Sequence, residues 1–360
     1  MTNRIRSAAL AGAAALALLL SACSGNNAGQ GEAAASSDPA GGDRLQITGA
    51  GATFPKPLYE QWMGEYLKDH PNVSFTYEGV GSGEGVRRFL AGDVDFGGSD
   101  AALTDADLAK VGDRGVVMVP MTAGMVVLAY NLPGANGLKL SREAVAGIFG
   151  GRIRAWNDPR IAATNPDLTL PNKTLVPVVR RDSSGTTYAF TNHLGAANDW
   201  WASEGPGVGK VVQWPENAME VTYNEGVAQR VKVSPGSIGY MAYEFAHRLG
   251  LPMAALENKA GEFVTPSAAS GTAALASVRD VPDDLRVFIP DPPGAGAYPI
   301  VSYTWLLLYE TYPDTAEADA LKRAVTWGLT AGQPTAAKLG YIPLPDAMIS
   351  LAKAKVESIH

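Results

Sequence analysis

The feature that most constrains the fold is an alternation of short apolar segments with amphipathic ones, which begins at Leu45. In segment 57–67, Leu58, Trp62 and Tyr66 recur every four residues, as on one face of a helix. Strand-like and helical segments then follow one another along the chain. Strand, crossover helix and strand in this order predict an α/β fold with a mainly parallel sheet and helices on both faces.

Two longer apolar runs, 125–130 (MVVLAY) and 300–309 (IVSYTWLLLY), enclose a second strand–helix series. A chain of 360 residues is long for one domain and sufficient for two. We therefore expect a second α/β lobe inserted into the first, with the chain crossing near residues 122 and 300. Lobe I would comprise 44–122 plus 301–360, and lobe II would comprise 123–300.

The N-terminus has the pattern of an export signal. A short basic start is followed by an uncharged apolar run, 8–20, which is too short to span ~30 Å of hydrocarbon. The only cysteine, Cys23, follows Leu20-Ser21-Ala22 and resembles the lipidated cysteine of the bacterial lipobox. We expect a lipoprotein signal peptide at 1–22, lipidation at Cys23 and a flexible tether at 23–43. The alternative is an ordinary signal peptide with an incidental cysteine.

Composition excludes two classes of partner. The chain has 29 basic and 36 acidic residues, so no basic surface for nucleic acid is expected. Its four histidines have no spacing typical of metal ligands, and we expect them at the surface or at helix caps, with no metal site. No cofactor is expected either.

Three turns share one pattern, at 49–55, 79–85 and 180–186. Each follows a strand candidate, is rich in Gly, Ser or Thr, and leads into a helix. Helix N-termini at the carboxyl edge of a sheet present unpaired N–H groups, which bind small anions. Each turn alone is weak support, since none matches the dinucleotide fingerprint or the phosphate loop of nucleotide hydrolases.

Together the turns belong to five motifs that occur in a fixed order. They are GAGATFP (49–55), YEGVGSGEG (77–85), VDFGGSD (94–100), RRDSSGTT (180–187) and GSIGY (236–240). From about Leu45 to the C-terminus the sequence closely resembles the periplasmic phosphate-binding proteins of bacterial phosphate transporters. The resemblance implies a two-lobed periplasmic-binding-protein fold with a hinge and an interlobe cleft. It also implies a monomer that is not an enzyme and that delivers phosphate to a membrane permease driven by an ATPase.

The resemblance also implies which residues hold the ion. Asp182 would orient the arginine, although Arg181 remains an alternative to Arg180. Glu84, where some family members have a small residue, is expected to face water. The implied phosphate-binding residues are Thr53, Phe54 (through its backbone N–H), Ser82, Asp100, Arg180, Ser184, Gly185 and Thr186.

Asp100 is the informative member, because a carboxylate repels an anion unless the anion itself donates a proton. Phosphate near neutral pH retains a P–OH group, whereas sulfate does not, so Asp100 favours phosphate. The alternative role for this residue is a helix N-cap. Two other functions remain open: binding of another oxyanion, and a serine-dependent phosphoesterase that uses Ser82 or Ser184. A serine phosphoesterase is not supported by local motifs, because the sequence has no Gly-x-Ser-x-Gly elbow at these serines and no histidine in any of the three turns.

Overall fold

A computed structural model describes residues 44–360. The expected signal peptide, lipidation site and tether therefore lie outside the described residues. The strands are β1 Leu45–Gly51, β2 Val73–Gly79, β3 Phe96–Ser99, β4 Val116–Tyr130, β5 Lys139–Leu140, β6 Val176–Arg180, β7 Met219–Val221, β8 Ser237–Ala242, β9 Ala255–Glu257, β10 Phe263–Val264 and β11 Val301–Tyr309.

The helices surround these strands and, in the first half of the chain, alternate with them. They are α1 Lys56–Tyr66, α2 Ser82–Ala91, α3 Asp105–Leu108, α4 Arg142–Phe149, α5 Pro159–Ala162, α6 Gly185–Ala197, α7 Asp199–Ser203, α8 Tyr223–Val233, α9 Tyr243–Arg248, α10 Ala268–Leu275, α11 Thr315–Leu329, α12 Gln333–Lys338 and α13 Asp346–Glu357.

Eight strands form one sheet in the order β2-β1-β3-β11-β4-β8-β6-β7. Strands β2, β1 and β3 are parallel to one another, as are β8, β6 and β7. The centre differs, because β11 is antiparallel to both β3 and β4, and β4 is antiparallel to β8. The prediction of a mainly parallel sheet is therefore wrong at its centre. Strands β4 and β11 are buried on both faces and are mainly apolar, and such a pattern carries no information about strand direction.

Strand β4 changes partner along its length. Residues 116–125 pair with β11, and residues 126–130 pair with β8. One buried strand of 15 residues thus joins the two parallel parts of the sheet. The lobe boundaries at 122 and 300 remain a prediction, although this change of partner lies close to them.

Helix starts follow local capping chemistry. Thr104 caps α3, because its Oγ1 accepts a hydrogen bond from the Asp107 N–H at 3.2 Å. Helix α11 begins at Thr315, because Asp314 caps it by accepting from the Ala316 N–H at 2.8 Å. Within residues 44–360, no helix has the length and apolar character that a membrane crossing requires.

Candidate functional site

The expected site residues lie where strands end and helices begin. Thr53 and Phe54 occupy the connection between β1 and α1, and Ser82 is the first residue of α2. Asp100 directly follows β3, and Ser184 is the N-cap of α6. All of these residues are buried, with at most 1% of each exposed. Because β1 and β3 are adjacent parallel strands, their ends bring Thr53, Phe54 and Asp100 to one edge of the sheet.

Ser82 and Asp100, which follow β2 and β3, contact each other and the start of α6. The backbone N–H of Asp100 donates to Ser82 Oγ at 3.2 Å. Gly185 packs against both, since a Cβ at this position would lie 2.4 Å from Ser82 Oγ and 2.7 Å from Asp100 Cβ. The N–H of Gly83 also donates to the carbonyl oxygen of Ser183 at 2.9 Å. The start of α6 is therefore in direct contact with the start of α2.

Three hydroxyl groups are oriented by the bonds that they accept. Thr53 Oγ1 accepts from Asn224 Nδ2 at 2.9 Å, and Ser82 Oγ accepts from the Asp100 N–H. Ser184 Oγ accepts from the Thr187 N–H at 3.0 Å. Each oxygen already receives a hydrogen, so each hydroxyl hydrogen is available to donate. The N–H groups of Gly185 and Thr186, the first two residues of α6, lie before the helix's own hydrogen-bonding pattern begins and add further donors.

Arg180 supplies the positive charge. Its Nε donates to Asp182 Oδ1 at 2.7 Å, and its Nη2 donates to Asp182 Oδ2. Its Nη1 is buried and has no hydrogen-bond partner within residues 44–360. Asp182 thus fixes the guanidinium plane and leaves one edge available for an acceptor. Arg180 is 3% exposed, whereas Arg181 points to the surface.

Asp100 is the acid of the site. Its Oδ1 accepts from Thr304 Oγ1 of β11 at 2.8 Å. Burial raises its pKa to about 7, against the opposing effects of the Thr304 hydroxyl, the Arg180 guanidinium and the Thr186 hydroxyl. The alternative role as a helix N-cap is wrong, because α3 is capped by Thr104. A carboxyl group with this pKa can accept or release a proton near neutral pH.

Asn224 is a site residue that the sequence did not reveal. Its Nδ2 donates to Thr53 Oγ1 at 2.9 Å and to Thr186 Oγ1 at 3.2 Å. Its Oδ1 accepts from the Ala242 N–H at 3.1 Å. The preceding Tyr223 has a left-handed backbone, with φ of +67°, and its N–H donates to Asp182 Oδ1. Asn224 therefore joins the β1–α1 connection to α6, and no residue pattern of the sequence signals it.

Phe54 is held from behind by Tyr341, which lies beside a second buried acid, Glu244. Tyr341 donates from its hydroxyl to the Phe54 carbonyl oxygen at 2.7 Å, and the two rings pack edge to face. Burial raises the pKa of the neighbouring Glu244 to about 8, with Asp100 adding to the effect and the Tyr341 hydroxyl opposing it. Glu244 Oε1 is buried without a hydrogen-bond partner in the described part of the chain.

Glu84 lies outside the site. Its side chain is 38% exposed and bonds Arg87 at 2.8 Å and Arg88 at 2.9 Å. One histidine expectation is wrong: His193 is buried in α6, where its Nδ1 lies 2.8 Å from the Pro290 carbonyl oxygen. Burial lowers the pKa of His193 to about 4. No cluster of histidine, cysteine and acidic side chains suited to a metal ion occurs between residues 44 and 360.

The fold and the site define a two-lobed solute-binding protein with a small, donor-rich site between the strand ends. Residues 30–327 match the family model described as the PBP superfamily domain. The phosphate-binding protein PstS of Methanocaldococcus jannaschii is 38% identical over 337 residues, which covers 87% of this chain and 86% of the relative. PstS of Pasteurella multocida is 38% identical over 316 residues, with 86% and 89% covered.

A solved structure of a phosphate-binding protein has a similar fold. The high-affinity periplasmic phosphate-binding protein PfluDING, bound with phosphate, superposes with a TM-score of 0.73 at 26% identity, covering 86% of this chain and 93% of that one. The chain therefore belongs to the PstS family of phosphate-binding proteins within the PBP superfamily.

Proposed function

We propose that this protein binds inorganic phosphate in the buried site and delivers it to an ABC-type phosphate importer. The observation that carries the proposal is the set of oriented donors. Three hydroxyl groups and one guanidinium edge have hydrogens to donate, and the buried acid Asp100 stands beside them. Relatives named phosphate-binding protein PstS support the same ligand.

The proposed ligand contacts follow from these donors. Thr53, Ser82 and Ser184 donate from their hydroxyls, and Arg180 donates from Nη1. The backbone N–H groups of Phe54, Gly185 and Thr186 surround the remaining oxygens. Several charge-assisted bonds of ~1.5–3 kcal/mol each make micromolar binding or tighter feasible, since that requires about 8 kcal/mol.

Asp100 would select phosphate because the P–OH group of phosphate can donate a hydrogen bond to it. One of its oxygens accepts from Thr304, and the other accepts the P–OH hydrogen of phosphate. Sulfate has no such hydrogen, so with Asp100 ionised it would leave a buried carboxylate facing an anion without a hydrogen bond between them. That arrangement costs several kcal/mol. The acid therefore favours phosphate over sulfate or molybdate.

Binding is proposed to close two lobes, with boundaries as predicted at 44–122 plus 301–360 and at 123–300. Three contacts would then cross the cleft: Asn224 to Thr53, Gly83 to Ser183, and the ion pair between Lys56 and Glu225 at 3.9 Å. Phosphate bonded to both lobes stabilises the closed state over the open one.

The binding function is favoured over a serine phosphoesterase. In the structure the oxygens of Ser82 and Ser184 accept hydrogen bonds from backbone N–H groups rather than lying against a base. His193 cannot serve easily as that base, because its Nδ1 is engaged with Pro290 and burial depresses its pKa. We also propose that the protein is exported and anchored through lipidated Cys23, acts as a monomer, and docks with a permease and its ATPase.

Titration calorimetry with phosphate, sulfate, arsenate and a phosphate monoester tests the proposal. We expect tight binding of phosphate and arsenate, and binding of sulfate and the monoester at least about 100-fold weaker. An assay for release of phosphate from the monoester should show no turnover. Preference for sulfate would overturn the ligand, and absence of any oxyanion binding would overturn the class of function.

A further inference from the structure

A second, outer cavity lies beside the buried site. Its volume is about 580 Å³, and its walls include residues 101–104, Tyr188, Gly209, Lys210, Arg286 and Phe288. Unlike the buried site, it contains a lysine.

The outer cavity adjoins the buried site through the backbone. One wall of the outer cavity begins at Ala101, the residue after Asp100. Another wall contains Tyr188, whose N–H donates to the Ser184 carbonyl oxygen at 3.0 Å. The carbonyl oxygen of Lys210 accepts from the Ser184 N–H at 2.9 Å. The outer cavity is thus one residue or one hydrogen bond away from two of the proposed phosphate ligands.

Lys210 differs from the other cation of the outer cavity. Arg286 is neutralised by Asp284 and Asp105, each at 2.6 Å. Lys210 is half-buried and forms no ion pair with any carboxylate of residues 44–360. The nearby Asp107 is already occupied, since its oxygens accept from Thr104 and from Lys110.

Burial of an ammonium group without a counterion costs free energy, which an approaching anion recovers. Burial lowers the pKa of Lys210, with Asp107 acting in the opposite direction and Lys110 in the same direction. The chain as a whole carries a formal charge of −7, so an oxyanion is repelled over much of the surface. A cation without a counterion in an open cavity next to the site reverses that repulsion locally.

We propose that the outer cavity is a capture site, in which Lys210 holds an incoming oxyanion before it passes to the buried site. The inference rests on the proposed phosphate-binding function and concerns the rate of that binding. Lys210 would act in the encounter, when the ion is still outside, rather than in the closed complex. A group that acts only in the encounter leaves the dissociation constant unchanged, so the loss of Lys210 should slow association and dissociation by the same factor.

Stopped-flow kinetics with inorganic phosphate tests this inference, with tryptophan fluorescence as the signal. Trp214 is suited to report binding, because its Nε1 donates to the Arg180 carbonyl oxygen at 3.2 Å. At about 10 mM salt, Lys210→Met should reduce the association rate constant roughly threefold or more, and the effect should shrink at about 500 mM salt. Lys210→Arg should restore the rate.

Lys353→Met is the matched control, because it removes the same charge from an exposed position on α13. It should change the association rate less than about 1.5-fold. Equal rates for Lys210→Met and Lys353→Met would overturn the capture site, as would a faster dissociation with unchanged association. A wild-type protein that binds no phosphate in calorimetry would instead overturn the proposed function, and the inference with it.

Discussion

Gly185→Ala is the substitution whose effect the site geometry defines best. Gly185 is the first residue of α6 and faces the start of α2. A Cβ there would lie 2.4 Å from Ser82 Oγ, 2.7 Å from Asp100 Cβ and 2.9 Å from the Asp100 backbone nitrogen. Two of these three atoms belong to or adjoin the backbone at the end of β3 and cannot rotate away. The methyl group must therefore push the two sides of the site apart.

The expected magnitude follows from the cost of overpacking. One added methyl group in a tightly packed contact costs about 1–3 kcal/mol. Since a tenfold change in affinity corresponds to about 1.4 kcal/mol, the phosphate dissociation constant should rise roughly 5- to 150-fold. If the lobes separate in the absence of phosphate, the methyl group meets nothing there. The free energy of unfolding of the phosphate-free protein should then change by less than about 0.5 kcal/mol.

Calorimetry gives the dissociation constant, and urea unfolding of the phosphate-free protein gives the stability. Gly64→Ala is the control, because a Cβ at Gly64 in α1 meets no atom within 4 Å. It should leave the affinity unchanged. A Gly185→Ala protein with wild-type affinity would refute the contact between the two sides. An equal loss of stability without phosphate would refute lobe separation.

Three further substitutions give separate tests. Asn224→Ala removes the bridge between Thr53 and Thr186 and should raise the phosphate dissociation constant at least about tenfold. A change below twofold in calorimetry would contradict the role of this bridge. Arg180→Lys keeps the charge but loses the planar fork held by Asp182, so we expect at least about tenfold weaker binding by calorimetry, and retained affinity would contradict the role of Nη1. Burial raises the pKa of Glu244 from 4.5 to about 8, so the folded protein holds a proton that the unfolded chain has lost, and stability falls as pH rises between these values. Denaturant unfolding of Glu244→Gln should therefore show a stability relative to wild type that increases from pH 5 to pH 9, whereas a constant difference would contradict the buried acid.

The sequence predicted which continuous motifs meet at the candidate site. Gly, Ser and Thr in the turns around Ser82 and Ser184 are local signals, because the same residues end a strand, begin a helix and present donors. The contact between these turns was predicted only through the resemblance of all five motifs to one family. The structure brings them together as that resemblance implied.

Other parts of the site depend on contacts between distant positions. Asn224 bonds a residue 171 positions away, and Thr304 bonds Asp100 across 204 positions. Neither residue belongs to a turn with a recognisable pattern, so local chemistry gives no sign of its role. The direction of β11 was missed for a related reason, since pairing with β3 and β4 is decided by the path of the whole chain.

Asp100 is proposed to accept a hydrogen bond from the P–OH group of the bound ion. The direct test is calorimetry of phosphate and sulfate on the wild type and on Asp100→Asn at pH 8.5, above the pKa of Asp100. We expect the wild type to prefer phosphate by at least about 100-fold and the substitution to reduce this ratio at least about tenfold. An unchanged ratio in Asp100→Asn, or a wild type that prefers sulfate, would contradict this role of Asp100.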